Sequence, residues 1–228
     1  MSNIIIATTQ KWNIENSKIL AEILSNYNII IYDDKDKLLY DDIIKANPEY
    51  IFFPHWSWKI PVDVYKNFTC IVFHMTDLPF GRGGSPLQNL ISRGIYETKI
   101  SAIEVVEEMD AGDVFLKESL SLFGGAEEIY VRASKIIFTK MIPYIVKHTP
   151  VAIKQIGEVV KFSRRTPEMS ELSHDMTTNK LFDYIRMLDA EGYPKAYIKF
   201  GNYKLYFSRP KLTSNGLIAD VEFEAEND

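Results

Sequence analysis

Residues 3–8, 29–32, 50–53 and 70–73 are short runs dominated by apolar, mostly β-branched or aromatic side chains. Runs of that length, bounded by turn residues, read as buried strands rather than helices. Between the first three lie helical patterns. Residues 16–24 place Ile19, Leu20, Ile23 and Leu24 on one face with Ser17 near the start, and residues 38–45 form a second pattern after the turn-prone Asp33-Asp34. Strand alternating with helix predicts an α/β fold, a Rossmann-like, parallel-rich sheet with helices on both faces. A ligand site in such a sheet belongs beyond the carboxyl ends of the strands.

Further along, residues 86–93 read as a helix with Pro86 suited to its first turn. Residues 100–106 and 114–119 read as strands separated by a turn at Asp110-Ala111-Gly112-Asp113. Residues 126–148 carry one long helical pattern, and Pro143 inside it predicts a kink or an early end. The texture changes near Asp175. A helix at 181–188 is followed by the turn Gly192-Tyr193-Pro194, and Gly201-Asn202 joins strands 196–200 and 203–208 as a hairpin. A last strand at 217–223 precedes an acidic tail. The expected organisation is a catalytic domain over 1–174 and a small C-terminal β-rich subdomain over 175–228.

The 228 residues are 46% hydrophobic and 25% charged, enough apolar material for a sizeable core. The formal net charge is -5, and the most basic local cluster, Arg164-Arg165, is only a pair. Electrostatic capture of nucleic acid is therefore not expected. Cys70 is the only cysteine, which excludes an internal disulfide and a cysteine-rich zinc site, and no metal site is read. Residues 4–7 are too short an apolar run for a secretory leader, and no segment reaches the roughly 20 apolar residues that span a bilayer. A cytoplasmic protein with no membrane partner is expected.

The run from Phe73 to Pro86 reads Phe-His-Met-Thr-Asp-Leu-Pro-Phe-Gly-Arg-Gly-Gly-Ser-Pro. It puts His74 at the carboxyl end of a buried strand, followed by a glycine-rich loop and a helix start. There His74 is either a proton carrier, since imidazole titrates near about 6.5, or a core histidine held by backbone. The loop lets backbone amides approach a ligand but follows neither of the common phosphate-cradling patterns. The second feature, Glu107-Glu108-Met109-Asp110-Ala111-Gly112-Asp113, is a carboxylate-rich turn after another strand. Such a turn is a site element or a solvated loop.

Together these two runs resemble the folate-dependent formyltransferase family, whose hallmark is Asn-x-His-x-Ser-Leu-Leu-Pro, a glycine-rich Arg-Gly-x-x-Pro loop, and a later Asp-x-Gly. His74, Leu78, Pro79, Arg82, Gly83 and Pro86 stand at the matching positions, and Asp110 and Gly112 match the later element. Phe162-Ser163-Arg164-Arg165-Thr166-Pro167 with Ser170, then Arg186-Met187-Leu188 and Tyr193-Pro194-Lys195-Ala196, resemble the corresponding segments of sugar-nucleotide N-formyltransferases, with Lys195 replacing a usual glycine.

The resemblance implies 10-formyltetrahydrofolate as donor and an amino-sugar nucleotide as acceptor, a 4-amino-4,6-dideoxy sugar being the narrower expectation. The acidic charge argues against nucleic acid as partner, and a homodimer is allowed. It implies His74 as proton carrier with Asp110 and Thr76 as catalytic partners. A pterin pocket is implied at Trp56, Ser57, Trp58, Met109 and Asp110, and acceptor contacts at Arg82, Gly83, Gly84 and Arg186. Core packing is the other reading for the two tryptophans, and a surface position for Arg186. Val72 occupies the place of the family's asparagine and cannot donate a hydrogen bond, so an oxyanion contact is either missing or supplied by Thr76, a backbone amide of the Gly83-Gly84 loop, or His74 itself. A methionyl-tRNA formyltransferase fits the catalytic motif, but the acidic charge and short appendage fit tRNA poorly. A glycinamide ribonucleotide transformylase would not need the appendage. A non-catalytic relative is favoured only by Val72.

Overall fold

The computed structural model describes residues 1–225; the end of the expected acidic tail, from residue 226, lies outside them. In chain order the elements are β1 (Ser2–Ala7), α1 (Lys11–Ile23), β2 (Tyr27–Tyr32), α2 (Tyr40–Ala46), β3 (Pro48–Phe53), α3 (Val62–Asn67) and β4 (Cys70–His74). Then follow β5 (Phe80–Gly83), α4 (Pro86–Ile91), β6 (Glu97–Glu104), β7 (Val114–Ser121), α5 (Ala126–Ile136), a π-helical turn (Ile137–Met141) and α6 (Ile142–His148). The remainder comprises β8 (Val160–Phe162), α7 (Thr178–Arg186), β9 (Ala196–Phe200), β10 (Tyr203–Thr213) and β11 (Gly216–Ala225). Two compact units interleave along the chain. The first comprises Met1–Arg82, Thr98–Leu120 and Val131–Lys161; the second comprises Gly83–Glu97, Ser121–Tyr130 and the chain from Phe162 on.

The first unit is built on a six-stranded sheet in the order β2-β1-β3-β4-β6-β7. β1 pairs in parallel with β2 and β3, and β3 in parallel with β4. β4 meets β6 antiparallel, with His74 opposite Ser101, so the sheet is mostly rather than wholly parallel. Alternation sends Ile5, Ala7, Ile51 and Phe53 into a cluster with Ile43 of α2 and Val64 of α3. Ile4, Ile6 and Phe52, which point the other way, are also fully buried, so both faces are covered. α1 packs against residues of the π turn, and Asn16 Nδ2 donates to Ser134 Oγ at 2.8 Å.

Two elements depart from the sequence reading, and the break expected near Pro143 takes a definite form. α3 was not foreseen because its six residues bury only Val64, too little for a periodic signal. α1 begins at Lys11, five residues before the apolar stripe that announces it. The long helix is interrupted at Ile137–Met141, just before Pro143. A proline at 143 has no N–H for the Thr139 carbonyl and its ring crowds that group, which favours a widened turn upstream.

The second unit holds α4, α7 and an antiparallel three-stranded sheet in the order β11-β10-β9. β10 runs to Thr213, five residues beyond its expected end. It passes Arg209-Pro210 through a register shift between Ser208 and Lys211, with Arg209 at φ +49°. The bulge takes the proline, which cannot donate to a ladder.

Candidate active site

His74 is the last residue of β4. Val72 pairs with Phe53, the last residue of β3, so His74 stands past the carboxyl end of the neighbouring strand. Its residue is 8% exposed. Nε2 lies 2.7 Å from the Gly81 carbonyl oxygen, and Nδ1 lies 3.5 Å from Asp110 Oδ2. Both partners are oxygen acceptors, so a ring carrying a proton on each nitrogen donates in both directions. The 3.5 Å separation is longer than a formed hydrogen bond, as is common for catalytic pairs without bound substrate.

Asp110 reaches this position on a tight turn, with its own backbone at φ +56°. Gly112 is required there: a Cβ on it would stand 1.9 Å from the Glu104 carbonyl oxygen. The Asp-x-Gly pattern is thus a packing requirement as well as a chemical one. The turn is also held from outside by Gln155, which the sequence reading missed. Its Nε2 donates to the carbonyls of Asp110 and Gly112, each at 2.8 Å, while its Oε1 accepts from Arg82 Nε at 3.0 Å and Nη2 at 2.8 Å. Nothing local to Gln155 announces this, because its partners are 45, 43 and 73 residues away.

Thr76 is fully buried, with Oγ1 3.5 Å from the same Gly81 carbonyl and its own carbonyl accepting from Ser101 Oγ at 2.7 Å. Val72 packs beside Leu78, Ile103 and Val114. Asp77 lies beside Lys117 and Lys99; burial pushes its carboxyl up, but the two ammonium groups outweigh that and hold it below the usual range.

The loop after β3 places Trp56 and Trp58 edge to face with centroids 5.0 Å apart, and Trp56 also meets Phe53. Trp58 is 41% exposed, and Trp56 Nε1 is buried with no hydrogen-bond partner. Ser57 and Met109 are exposed. Next to Trp56, both ring nitrogens of His55 are shielded from solvent, and burial pushes its pKa down to about 4. Burial likewise pushes the Cys70 thiol up to about 12, which leaves it unreactive as a thiolate.

The remaining sequence-predicted contacts lie on the glycine loop and in the second unit. Arg82 is engaged with Gln155 as described, and its Nη1 is 3.7 Å from Glu108 Oε1. A Cβ on Gly83 would stand 2.3 Å from the Phe162 carbonyl oxygen, and one on Gly84 2.6 Å from Arg164 Cβ, so both glycines are sites of close chain approach. Arg186 is 2% exposed: Nε donates to Asp183 Oδ1 at 2.7 Å and Nη1 to the carbonyls of Leu122 and Gly124 at 2.7 and 2.8 Å. Its guanidinium also lies over the rings of Tyr96 and Phe182.

Comparison with known proteins bears on this site. The family model described as methionyl-tRNA formyltransferase, C-terminal domain, matches residues 167–224. A solved structure, methionyl-tRNA formyltransferase from Clostridium thermocellum, is 57% identical with a TM-score of 0.97, over 99% of this chain and 100% of that one. The methionyl-tRNA formyltransferase of Mycoplasma mycoides subsp. mycoides SC is 26% identical over 210 residues, 88% of this chain; the chain spans only 66% of that relative's length. HypX from Aquifex aeolicus, solved in complex with tetrahydrofolic acid, shares the fold alone, at 18% identity and a TM-score of 0.74 over 91% of this chain and 37% of that one.

These matches correct two expectations. The amino-sugar nucleotide acceptor does not stand, because the 57% identical structure, the Mycoplasma relative and the model matching the C-terminal part are all methionyl-tRNA formyltransferases. Several residues behind the sugar-side resemblance are packing residues: Arg186 is pinned as above, Tyr193 stacks on Tyr130, and Ala196 is fully buried. Such residues report how the second unit is built rather than what it binds. The exclusion of nucleic acid falls with it, since those relatives are named for a tRNA. Net charge is a sum over the chain: from Val131 to Lys161 six Lys or Arg residues face a single acid, Glu158.

Proposed function

The chain belongs to the formyltransferase family, and on that premise we propose that it transfers a formyl group from 10-formyltetrahydrofolate to the α-amine of methionyl-tRNA. The observation that carries the chemistry is the His74–Asp110 pair at the carboxyl end of β4, with the two ring nitrogens set between Asp110 and the Gly81 carbonyl. The donor's pterin fits the loop after β3, where Trp56 and Trp58 offer flat apolar walls and the buried Trp56 Nε1–H lacks an acceptor. When bound, 10-formyltetrahydrofolate supplies an electrophilic formyl carbon.

The chain's own residues then have three tasks. The attacking amine must lose a proton as its nitrogen replaces the folate nitrogen on the formyl carbon, and the gap between His74 Nδ1 and Asp110 Oδ2 places two acceptors side by side to take that proton and return it to the departing tetrahydrofolate nitrogen. The Asp110 carboxylate faces Nδ1 and orients the ring. Negative charge developing on the formyl oxygen needs a donor. Val72 offers none, Thr76 is buried against Gly81 and the Gly84 N–H donates to the Phe162 carbonyl at 3.3 Å, so we assign the contact to the His74 imidazolium.

The test is formylation of methionyl-tRNA from 10-formyltetrahydrofolate by wild type, His74→Ala and Asp110→Asn. Each variant is expected to lose on the order of 10²–10⁴ in kcat. Wild-type protein that binds the folate but forms no formylmethionyl-tRNA overturns the acceptor assignment.

A further inference from the structure

We propose that Gln155 is a positioning residue for the His74–Asp110 pair, clamping the backbone of the Asp110 turn to Arg82 of the glycine loop. Its value as a clamp depends on the formyl-transfer reading above, but its geometry does not. All four hydrogen-bonding positions of the amide are filled: two Arg82 N–H groups on Oε1, and the Asp110 and Gly112 carbonyls on Nε2. The partners fix the amide's orientation without ambiguity, since a guanidinium only donates and a carbonyl only accepts.

Three pieces of chain far apart in sequence meet at this one side chain. Arg82 lies on β5 after the His74 loop, Asp110 and Gly112 lie between β6 and β7, and Gln155 lies on the segment after α6. That segment is itself anchored beside the turn, because Ile153 and Val114 exchange backbone hydrogen bonds at 2.7 and 3.0 Å. Asp110 needs such a clamp. Its left-handed backbone is uncommon for a non-glycine residue, and its carboxylate must face a ring nitrogen that β4 fixes independently. Release of the Asp110 carbonyl lets the peptide rotate and carries the carboxylate away from His74. A displacement of about 1 Å at such a pair costs on the order of 10²-fold in rate.

The experiment compares full-length wild type with Gln155→Ala and Gln155→Glu. The glutamate variant is nearly isosteric and keeps an acceptor for Arg82, but it sets a carboxylate oxygen against the Asp110 and Gly112 carbonyls. It also keeps the test readable should the alanine variant fail to fold. Both variants are expected to lose on the order of 10²-fold in kcat while KM for either substrate stays within about threefold, the signature of a lost transition-state alignment. The ¹⁵N resonances of the His74 ring are expected to move in both, with thermal midpoints near wild type. Unchanged kcat and unchanged ring resonances overturn the proposal. So does a rate loss that tracks a fall in thermal midpoint while the ring resonances of the folded protein stay in place, which marks a merely structural residue. Wild type that transfers nothing to methionyl-tRNA removes the functional reading, and the ring resonances alone then decide whether Gln155 positions the pair.

Discussion

At the scale of single residues, position in the sheet decides chemistry more than residue type does. Two histidines stand at or just past the carboxyl ends of neighbouring strands, yet they face different conditions. His74 stands between two oxygen acceptors, whereas His55 sits with its ring nitrogens shielded and its pKa pushed down to about 4 by burial. The consequence for His55 is a pH-dependent stability of definite sign. In the unfolded chain it takes a proton near pH 6.5, and in the folded chain only near 4, so the unfolded state binds more protons between those values. Stability is therefore complete above about pH 6.5 and falls as the pH drops toward 4, by up to roughly 3 kcal/mol for this group. Urea midpoints measured across that range should decline less steeply for His55→Gln than for wild type. Equal slopes would mean that the ring is solvated.

At the scale of elements, the second unit is tied together by buried polar anchors as well as by apolar contact. Arg186, at the end of α7, neutralises Asp183 one turn earlier and satisfies the carbonyls of Leu122 and Gly124. Asp183 in turn accepts from Tyr96 Oη at 2.7 Å. Removing one member of a buried ion pair leaves the other charge and its acceptors unmet, at a cost of about 3–5 kcal/mol. Arg186→Met is thus expected to lower the thermal midpoint sharply, with KM for methionyl-tRNA little changed in the folded fraction. A raised KM at wild-type stability would instead assign the guanidinium to the acceptor. The patterns that announced α7, β9 and β10 lay in their own sequence, but the fate of Arg186 did not. An arginine on a helix reads as a surface residue until the rest of the unit closes over it.

For the whole molecule, an acidic total does not preclude an RNA partner, because phosphates respond to local charge. On α5, the π turn and α6, Lys135, Lys140 and Lys147 are all exposed. The π turn adds about one residue to the helical count, which brings these three lysines within an arc of about 40° of one another. If the acceptor's backbone lies on this face, Lys135→Glu, Lys140→Glu and Lys147→Glu combined should weaken binding of uncharged tRNA at low salt. The combined change should also flatten the log–log salt dependence by about 2. Binding by the variant with wild-type affinity and slope would place the tRNA on another surface.

What the sequence determined by itself is what short-range patterns encode: the strand–helix alternation of the first unit, the hairpin at Gly201-Asn202, and His74 at the end of a buried strand. Apolar periodicity and turn chemistry act over a few residues, so they are legible in a few residues. The resemblance then linked His74 to Asp110, a pair that spacing alone could not connect. Tertiary structure alone decided the rest. The antiparallel placement of β6 beside β4 and the burial of Arg186 depend on what packs against them. So does the clamp at Gln155, whose four hydrogen bonds join segments separated by up to 73 residues. A polar side chain announces neither its partners nor their distance along the chain; only closure of the core brings them within reach and makes leaving them unpaired costly.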